Sequence, residues 1–134
     1  MDYMKNVPDK FFDIAIVDPP YGINENHLCE KYYTIEDDGL SKSWKGERVY
    51  MNPPYGTEIS KWVKKAKEET EQGECLVVGL LPSRTDTAWW HDYVEGHADV
   101  LFLRGRLKFG DGKNSAPFPS AIVLWWGKEG LRNR

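Results

Sequence analysis

Long apolar runs are missing from this chain of 134 residues, and no stretch approaches the roughly 18 residues that a membrane span requires, so no transmembrane segment is expected. The opening Met1-Asp2-Tyr3-Met4-Lys5 is not followed by an apolar stretch either; no signal peptide is expected, and the cytoplasm is the expected location. Cysteine is scarce. Two thiols, Cys29 and Cys75, cannot build a disulfide framework, and Cys75, which opens the apolar run from Leu76 to Leu81, is expected to be buried. His27 lies two residues before Cys29, but no second pair repeats that spacing, so no metal site is expected. Neither sign of charge dominates: a net charge of -3 argues against a nonspecific nucleic-acid coat while leaving room for a local basic surface.

What the chain does have is one short pattern twice. Asp18-Pro19-Pro20-Tyr21-Gly22 follows the apolar run Ile14 to Val17, and Asn52-Pro53-Pro54-Tyr55-Gly56 follows Val49-Tyr50-Met51. The length fits one domain, with enough residues for a core yet few for a complete cofactor-dependent enzyme. Aromatics make up 13% and include six tryptophans, which suits either a core or a surface on which bases stack.

The periodicity predicts an alternation of strands and helices. Phe11 to Val17 reads as a buried strand stopped at Asp18, because a proline pair cannot continue a central ladder. Residues 23–48 are polar, carry a turn signal at Asp37-Asp38-Gly39, and are expected to hold at most short helical pieces. Val49 to Asn52 is a second short strand. Thr57 is then expected to cap a helix running to about Gln72, with Ile59, Trp62, Val63 and Ala66 on its inner stripe and Gly73 ending it. Lys61, Lys64, Lys65 and Lys67 fall on this helix and read as a solvated outer face. Cys75 to Leu81 is continuous enough for a central parallel strand, ended by Pro82. Thr85 or Asp86 is expected to cap a second helix through Trp89, Trp90, Tyr93 and Val94, closed by Gly96. Strands Asp99 to Leu103 and Ala121 to Trp126 follow, separated by a loop rich in Gly, Pro and Asn. The expected fold is α/β with a mainly parallel sheet ending in an antiparallel hairpin.

The paired-proline pattern has a chemical reading. An exocyclic amino group on a nucleobase is a poor nucleophile, because its lone pair is delocalised into the ring. One side-chain oxygen and one backbone carbonyl, each accepting an N–H, would hold such a nitrogen and draw it toward a tetrahedral form. Asn52 or Asp18 offers the side-chain oxygen, the prolines hold the carbonyl in a stiff backbone, and the following tyrosine offers a face for stacking. A base inside a duplex is out of reach, so this chemistry requires flipping. The plainer alternatives are a stiff turn or a proline-rich ligand for an aromatic groove.

Residues from about 26 to 126 resemble the phage-type DNA N6-adenine methyltransferases, a class I, S-adenosylmethionine-dependent family. The resemblance rests on Lys31-Tyr32-Tyr33-Thr34, Asp37-Asp38-Gly39-Leu40, Trp44-Lys45-Gly46, Val49 to Gly56, Leu80 to Thr87, Gly105-Arg106-Leu107-Lys108-Phe109 and Ala116-Pro117-Phe118-Pro119-Ser120. It implies a class I, Rossmann-like sheet, truncated on its N-terminal side, and adenine in DNA as the substrate. Asn52, Pro53, Pro54 and Tyr55 would then be the catalytic motif. Arg84, Arg106, Lys108 and Phe109 would face DNA. The plain alternatives are helix entry for Arg84, capping for Asp86 and an ordinary basic hairpin for residues 106–109. A bacterial or phage-infected cell would be the setting.

The first copy departs from that family. Residues 1–24, with Pro8-Asp9-Lys10-Phe11-Phe12-Asp13 leading into Asp18, resemble the motif region of another amino-methyltransferase group. The chain therefore reads as a single, incomplete methyltransferase domain over 1–134, with 1–24 as a recombined segment. Asp18, Pro19 and Tyr21 are then either a cofactor-side edge or an inert relic. Gly110-Asp111-Gly112 does not stand between a strand and a helix, so S-adenosylmethionine is implied by likeness and not by a visible loop. No covalent intermediate is expected, since no cysteine adjoins either copy. Other readings are an inactive remnant, a DNA-binding fragment that depends on a separate subunit for the missing part, or the same chemistry on cytosine N4, RNA or protein glutamine.

Overall fold

The computed structural model describes residues 11–17, 29–33, 39–109 and 114–127. Among these residues, eight strands and two helices follow one another as β1 (Phe12–Val17), β2 (Cys29–Tyr33), β3 (Arg48–Asn52), α1 (Ile59–Gln72), β4 (Leu76–Pro82), α2 (Ala88–Tyr93), β5 (Asp99–Phe102), β6 (Lys108–Phe109), β7 (Asn114–Ser115) and β8 (Ser120–Trp125). Six form one sheet in the order β2-β1-β3-β4-β8-β5, and β6 pairs with β7 in a small hairpin. β2, β1, β3 and β4 run parallel. β8 is inserted antiparallel between β4 and β5, so β5 points the same way as β4. The α/β class with a mainly parallel start is as expected. The closing strands differ in one respect: β8 reaches past β5 to the middle of the sheet, and the β6–β7 hairpin fills the connection.

One core accounts for this arrangement. Alternate residues of the strands (Ile14 and Ile16, Val49 and Met51, Val77 and Leu81, Ala121, Val123 and Trp125) meet Ile59, Trp62, Val63 and Ala66 of α1 and Trp89, Trp90 and Val94 beside them. The stripe on α1 is the predicted one, extended by Thr70, whose hydroxyl is satisfied by Ala66 O at 2.9 Å. Gly79 lies where a Cβ would stand 3.2 Å from Cζ3 of Trp125, so its bareness makes room for the indole. Trp125 Nε1 in turn donates to Tyr93 O at 2.8 Å, tying β8 to the end of α2.

Four local expectations are corrected. β2 is a strand within the stretch read as irregular. α1 begins after a 3-10 turn over Gly56–Glu58 with Glu58 at its N-cap and no side-chain cap, so Thr57 does not cap it. Thr87 caps α2, accepting from Trp90 N, in place of Thr85 or Asp86. The helical lysines are not a uniform solvated face: Lys65 Nζ donates to Lys42 O at 2.6 Å, pairs with Glu69 and lies over the Trp44 ring. Glu69 Oε1 also accepts from Trp44 N, which ties α1 to the segment ahead of β3.

Candidate active site

Asn52 closes β3, and there the sheet stops because neither Pro53 nor Pro54 has an N–H for the ladder. The residue is 3% exposed, and both prolines are buried. Tyr55 remains extended, and Gly56 turns the chain with φ +87, a left-handed conformation that side-chain-bearing residues rarely adopt, into the short turn before α1. The motif is thus a strand end, a rigid corner and a glycine pivot. This places Asn52 at the C-terminal edge of the parallel strands, the edge where α/β sheets bind ligands.

Tyr55 folds back over that edge. Its hydroxyl donates to Asn52 Oδ1 at 3.1 Å and lies 3.2 Å from Leu80 O on the adjacent strand β4. Its ring meets the Phe118 ring edge to face, with centroids 5.4 Å apart and planes at 74°. On the Phe118 ring sits the Arg84 guanidinium, 5.3 Å from the centroid. Asn52, Tyr55, Phe118 and Arg84 therefore form one chain of contacts across β3, β4 and the run into β8.

Pairing of β8 with β4 assembles this cluster. Ser120 opposes Pro82, and Ser83 N donates to Pro119 O at 2.9 Å, so residues far apart in the chain share one edge. At the same junction the hydroxyls of Ser83 and Ser120 are buried with no hydrogen-bond partner among the described residues, Ser120 at 1% exposed. Buried polar atoms of that kind are uncommon, and a water, an ion or a catalytic role is among the explanations for them. Phe118, Ser83 and Ser120 escaped the sequence reading as site residues; the run Ala116 to Ser120 had marked only a likeness.

The remaining expected residues distribute differently. Arg106 and Lys108 are exposed and belong to the hairpin, with Arg106 Nη1 donating to Ala116 O at 3.4 Å. That hairpin leads through Pro117 into Phe118, so the basic residues and the aromatic cluster share one connection. Phe109 pairs through its backbone with Asn114. Asp86 is exposed and does not cap α2. Asp18, Pro19 and Tyr21 lie outside the described residues. Val17, however, is the register partner of Asn52, so the strand that precedes Asp18 ends level with the strand that carries the other motif.

Two features stand apart from the cluster. A groove of about 490 Å³ between α2 and β5 is lined by Trp90, His91, Glu95, Val100 and Phe102 among others, and it shares no residue with Asn52 or its contacts. Cys75 is fully buried, and its thiol is pushed up to about 12, first by burial and then by the Glu69 carboxylate, against a smaller opposing effect of Lys65. It is an inert packing residue, as expected.

Residues 11–127 match the family described as DNA N-6-adenine-methyltransferase (Dam). The chain belongs to that family. The match begins ahead of Asp18 and takes in both copies of the motif. Among relatives, the DNA N-6-adenine-methyltransferase of Escherichia phage T1 is 34% identical over 84 residues, which are 62% of this chain and 34% of that protein. The DNA N-6-adenine-methyltransferase of Haemophilus phage HP1 is 23% identical over 123 residues, 87% of this chain and 70% of that protein. A stretch of 78 residues is 31% identical to an uncharacterized ABC transporter ATP-binding protein of Saccharomyces cerevisiae, of which it covers 14%. The chain thus spans about a third of the T1 relative and most of the HP1 one. Neither the family description nor these names bring in a second subunit, so the expectation of one has no support. Among the described residues of this Dam family member no helix is long and apolar enough to cross a membrane.

Proposed function

We propose that this chain transfers a methyl group from S-adenosylmethionine to the exocyclic N6 of an adenine flipped out of DNA, within a single class I methyltransferase-like domain. The observation that carries the reading is the Asn52 side chain, held at the C-terminal edge of the sheet by a proline corner and covered by an aromatic pair, in a member of the Dam family. Asn52 Oδ1 accepts one amino N–H and the Pro53 carbonyl accepts the other. Two acceptors on one nitrogen pull its hydrogens out of the ring plane and return lone-pair density to the nitrogen. Tyr55 supplies a stacking face that offsets part of the cost of unstacking the base. Pro54 keeps the corner rigid. Arg84, Arg106, Lys108 and Phe109 meet the DNA, the cations on phosphates.

The cofactor, when bound, supplies an electrophilic methyl on a sulfonium. A strand end level with Asn52 suits such a donor, because methyl and nitrogen must approach along one line; the register of Val17 with Asn52 supports this fit. Asp18, Pro19 and Tyr21, which follow Val17, are the residues that would hold it. Asn52 Oδ1 and the Pro53 carbonyl would hold the nitrogen with its lone pair toward that methyl, and the surplus amino proton would leave to solvent.

The test is incorporation of labelled methyl into a mixed-sequence duplex by the purified chain. Wild type is expected to label adenine, and Asn52→Ala to lose labelling with an unchanged circular dichroism spectrum. Persistent labelling by Asn52→Ala would remove Asn52 from the role.

A further inference from the structure

We propose that the outer edge of β5 is a self-association surface, on which β5 pairs antiparallel with β5 of a second copy of this chain about a twofold axis at Leu101. Among the described residues β5 ends the sheet, with β8 on one side and no strand on the other. It also carries the exposed large hydrophobic residues found among them, Leu101 at 58% and Phe102 at 62%. A lone exposed leucine would need no explanation. Two large apolar residues in a row are different on a strand edge that has neither a lysine nor a proline to discourage pairing.

The hydrogen-bonding phase fixes what that edge presents. Leu103 N donates to Ser120 O at 3.1 Å, so Leu103, and with it Leu101 and Asp99, turns its backbone polar groups toward β8. On the other side of β8, Ser83 N donates to Pro119 O, which sets the same phase. Val100 and Phe102 therefore point their N–H and C=O groups outward. An antiparallel partner must match outward groups to outward groups while opposed side chains share one face. A pairing centred on Leu101 is the register in which both outward residues of β5 find partners within β5. Val100 meets Phe102 of the partner subunit, Phe102 meets Val100 of the partner subunit, and each pair exchanges both of its backbone bonds. Leu101 then opposes its own copy at a position without backbone bonds, where opposed side chains stand closest. Phe102, already stacked on Trp90 with planes at 19°, gains a cross-strand apolar neighbour.

Charge favours the same occupant. Glu95 and Asp99 stand at the entry to β5, and Arg104 and Arg106 follow its exit. Reversing one copy against the other brings the basic end of each beside the acidic end of its partner, which parallel pairing would not do. An edge that complements itself in backbone phase, side chains and charge is the mark of a twofold contact. The axis reverses the strands, so the two Asn52 edges lie at opposite ends of the joined sheet.

The test is analytical ultracentrifugation of the purified chain at up to about 100 μM, where interfaces with micromolar dissociation constants are occupied. The expected mass is double that of one chain. Leu101→Glu and Leu101→Lys each set like charges face to face across the axis and are expected to return the mass to that of one chain. An equimolar mixture of the two is expected to recover the doubled mass, because opposite charges then meet. Leu101 is exposed, so both variants should keep the fold, which circular dichroism checks. Mild oxidation is expected to cross-link Leu101→Cys beyond the level of the wild-type chain, since such opposed Cα atoms stand about 4.5 Å apart. Phe102→Cys, which opposes Val100, is expected to stay at the wild-type level. A wild-type chain that remains single at that concentration overturns the proposal and leaves the edge to an extended segment of another protein. A doubled mass that survives both charged variants, a mixture that stays single, or cross-linking through Phe102→Cys in place of Leu101→Cys overturns it as well.

Discussion

Phe118 is the residue whose removal says most about the site. It is held from two sides, by the Tyr55 ring at 5.4 Å and the Arg84 guanidinium at 5.3 Å, and it is only half buried. Phe118→Ala therefore deletes contacts at the site without opening the main core, from which Phe118 is absent. If Phe118 only buttresses Tyr55, the loss is one aromatic pair, about 0.5–1.5 kcal/mol, or roughly 2- to 13-fold in kcat/KM. If it touches the base itself, base–aromatic stacking of about 1–3 kcal/mol sets the scale, roughly 5- to 150-fold. The assay is steady-state methylation of a duplex beside the same sequence as a single strand. A loss beyond about 20-fold on the duplex assigns Phe118 to the base, and a loss of a few-fold assigns it to Tyr55. Phe118→Trp keeps a π-face and is expected to retain most activity. Activity of Phe118→Ala within about 1.5-fold of wild type would refute both roles, since neither contact would then matter to turnover.

Three further substitutions test the frame around the site. Thr87→Ala removes the cap of α2 and its 2.7 Å bond to Arg84 O, and should cost about 1 kcal/mol in urea unfolding, with Arg84 less well held over Phe118. Gly127→Ala would put a Cβ 2.8 Å from Cys75 O and 2.9 Å from Cys75 N, so backbone must shift; a loss of about 1–3 kcal/mol and a lower Tm are expected. Cys75, with its thiol raised from 9.0 to about 12 by burial, should resist a thiol-directed reagent at pH 8 until the chain unfolds. For stability the sign follows from the protonated form being the neutral one. The native state holds the proton more tightly than the unfolded state, so the contribution is fully present below about pH 9 and declines from there toward about pH 12. Cys75→Ala should flatten that alkaline decline.

How much could be read in advance depended on whether the signal was contiguous. The stripe of α1, the apolar run of β4 and the proline stop after Asn52 each lie within a few residues, and each was found where the local pattern put it. β2 was not, because it is the first strand of the sheet and has one strand neighbour; Cys-Glu-Lys-Tyr-Tyr carries neither an apolar run nor a clear alternation, and its pairing with β1 is what makes it a strand. The α2 cap was displaced for a related reason. Thr87 N donates to Arg84 O, so Thr85 and Asp86 are consumed by a turn, and the first hydroxyl left for the helix is that of Thr87.

The site divides along the same line. Asn52 and Tyr55 were legible because the proline corner that connects them is itself a sequence signal, and a four-residue motif fixes its own geometry. Phe118, Ser83 and Ser120 become site residues only when β8 crosses β5 to pair with β4 and sets Ser120 opposite Pro82. Nothing local at Phe118 distinguishes an aromatic that touches Tyr55 from one that packs in a loop. Arg84 falls between the two cases. The family resemblance marked it as facing DNA, but the group it touches, the face of Phe118, comes from a segment more than thirty residues later in the chain. Substituting Arg84 should therefore act on two things at once, the charge offered to DNA and the footing of Phe118. Comparing Arg84→Lys with Arg84→Ala should separate them, because the lysine keeps the charge but loses the planar stack.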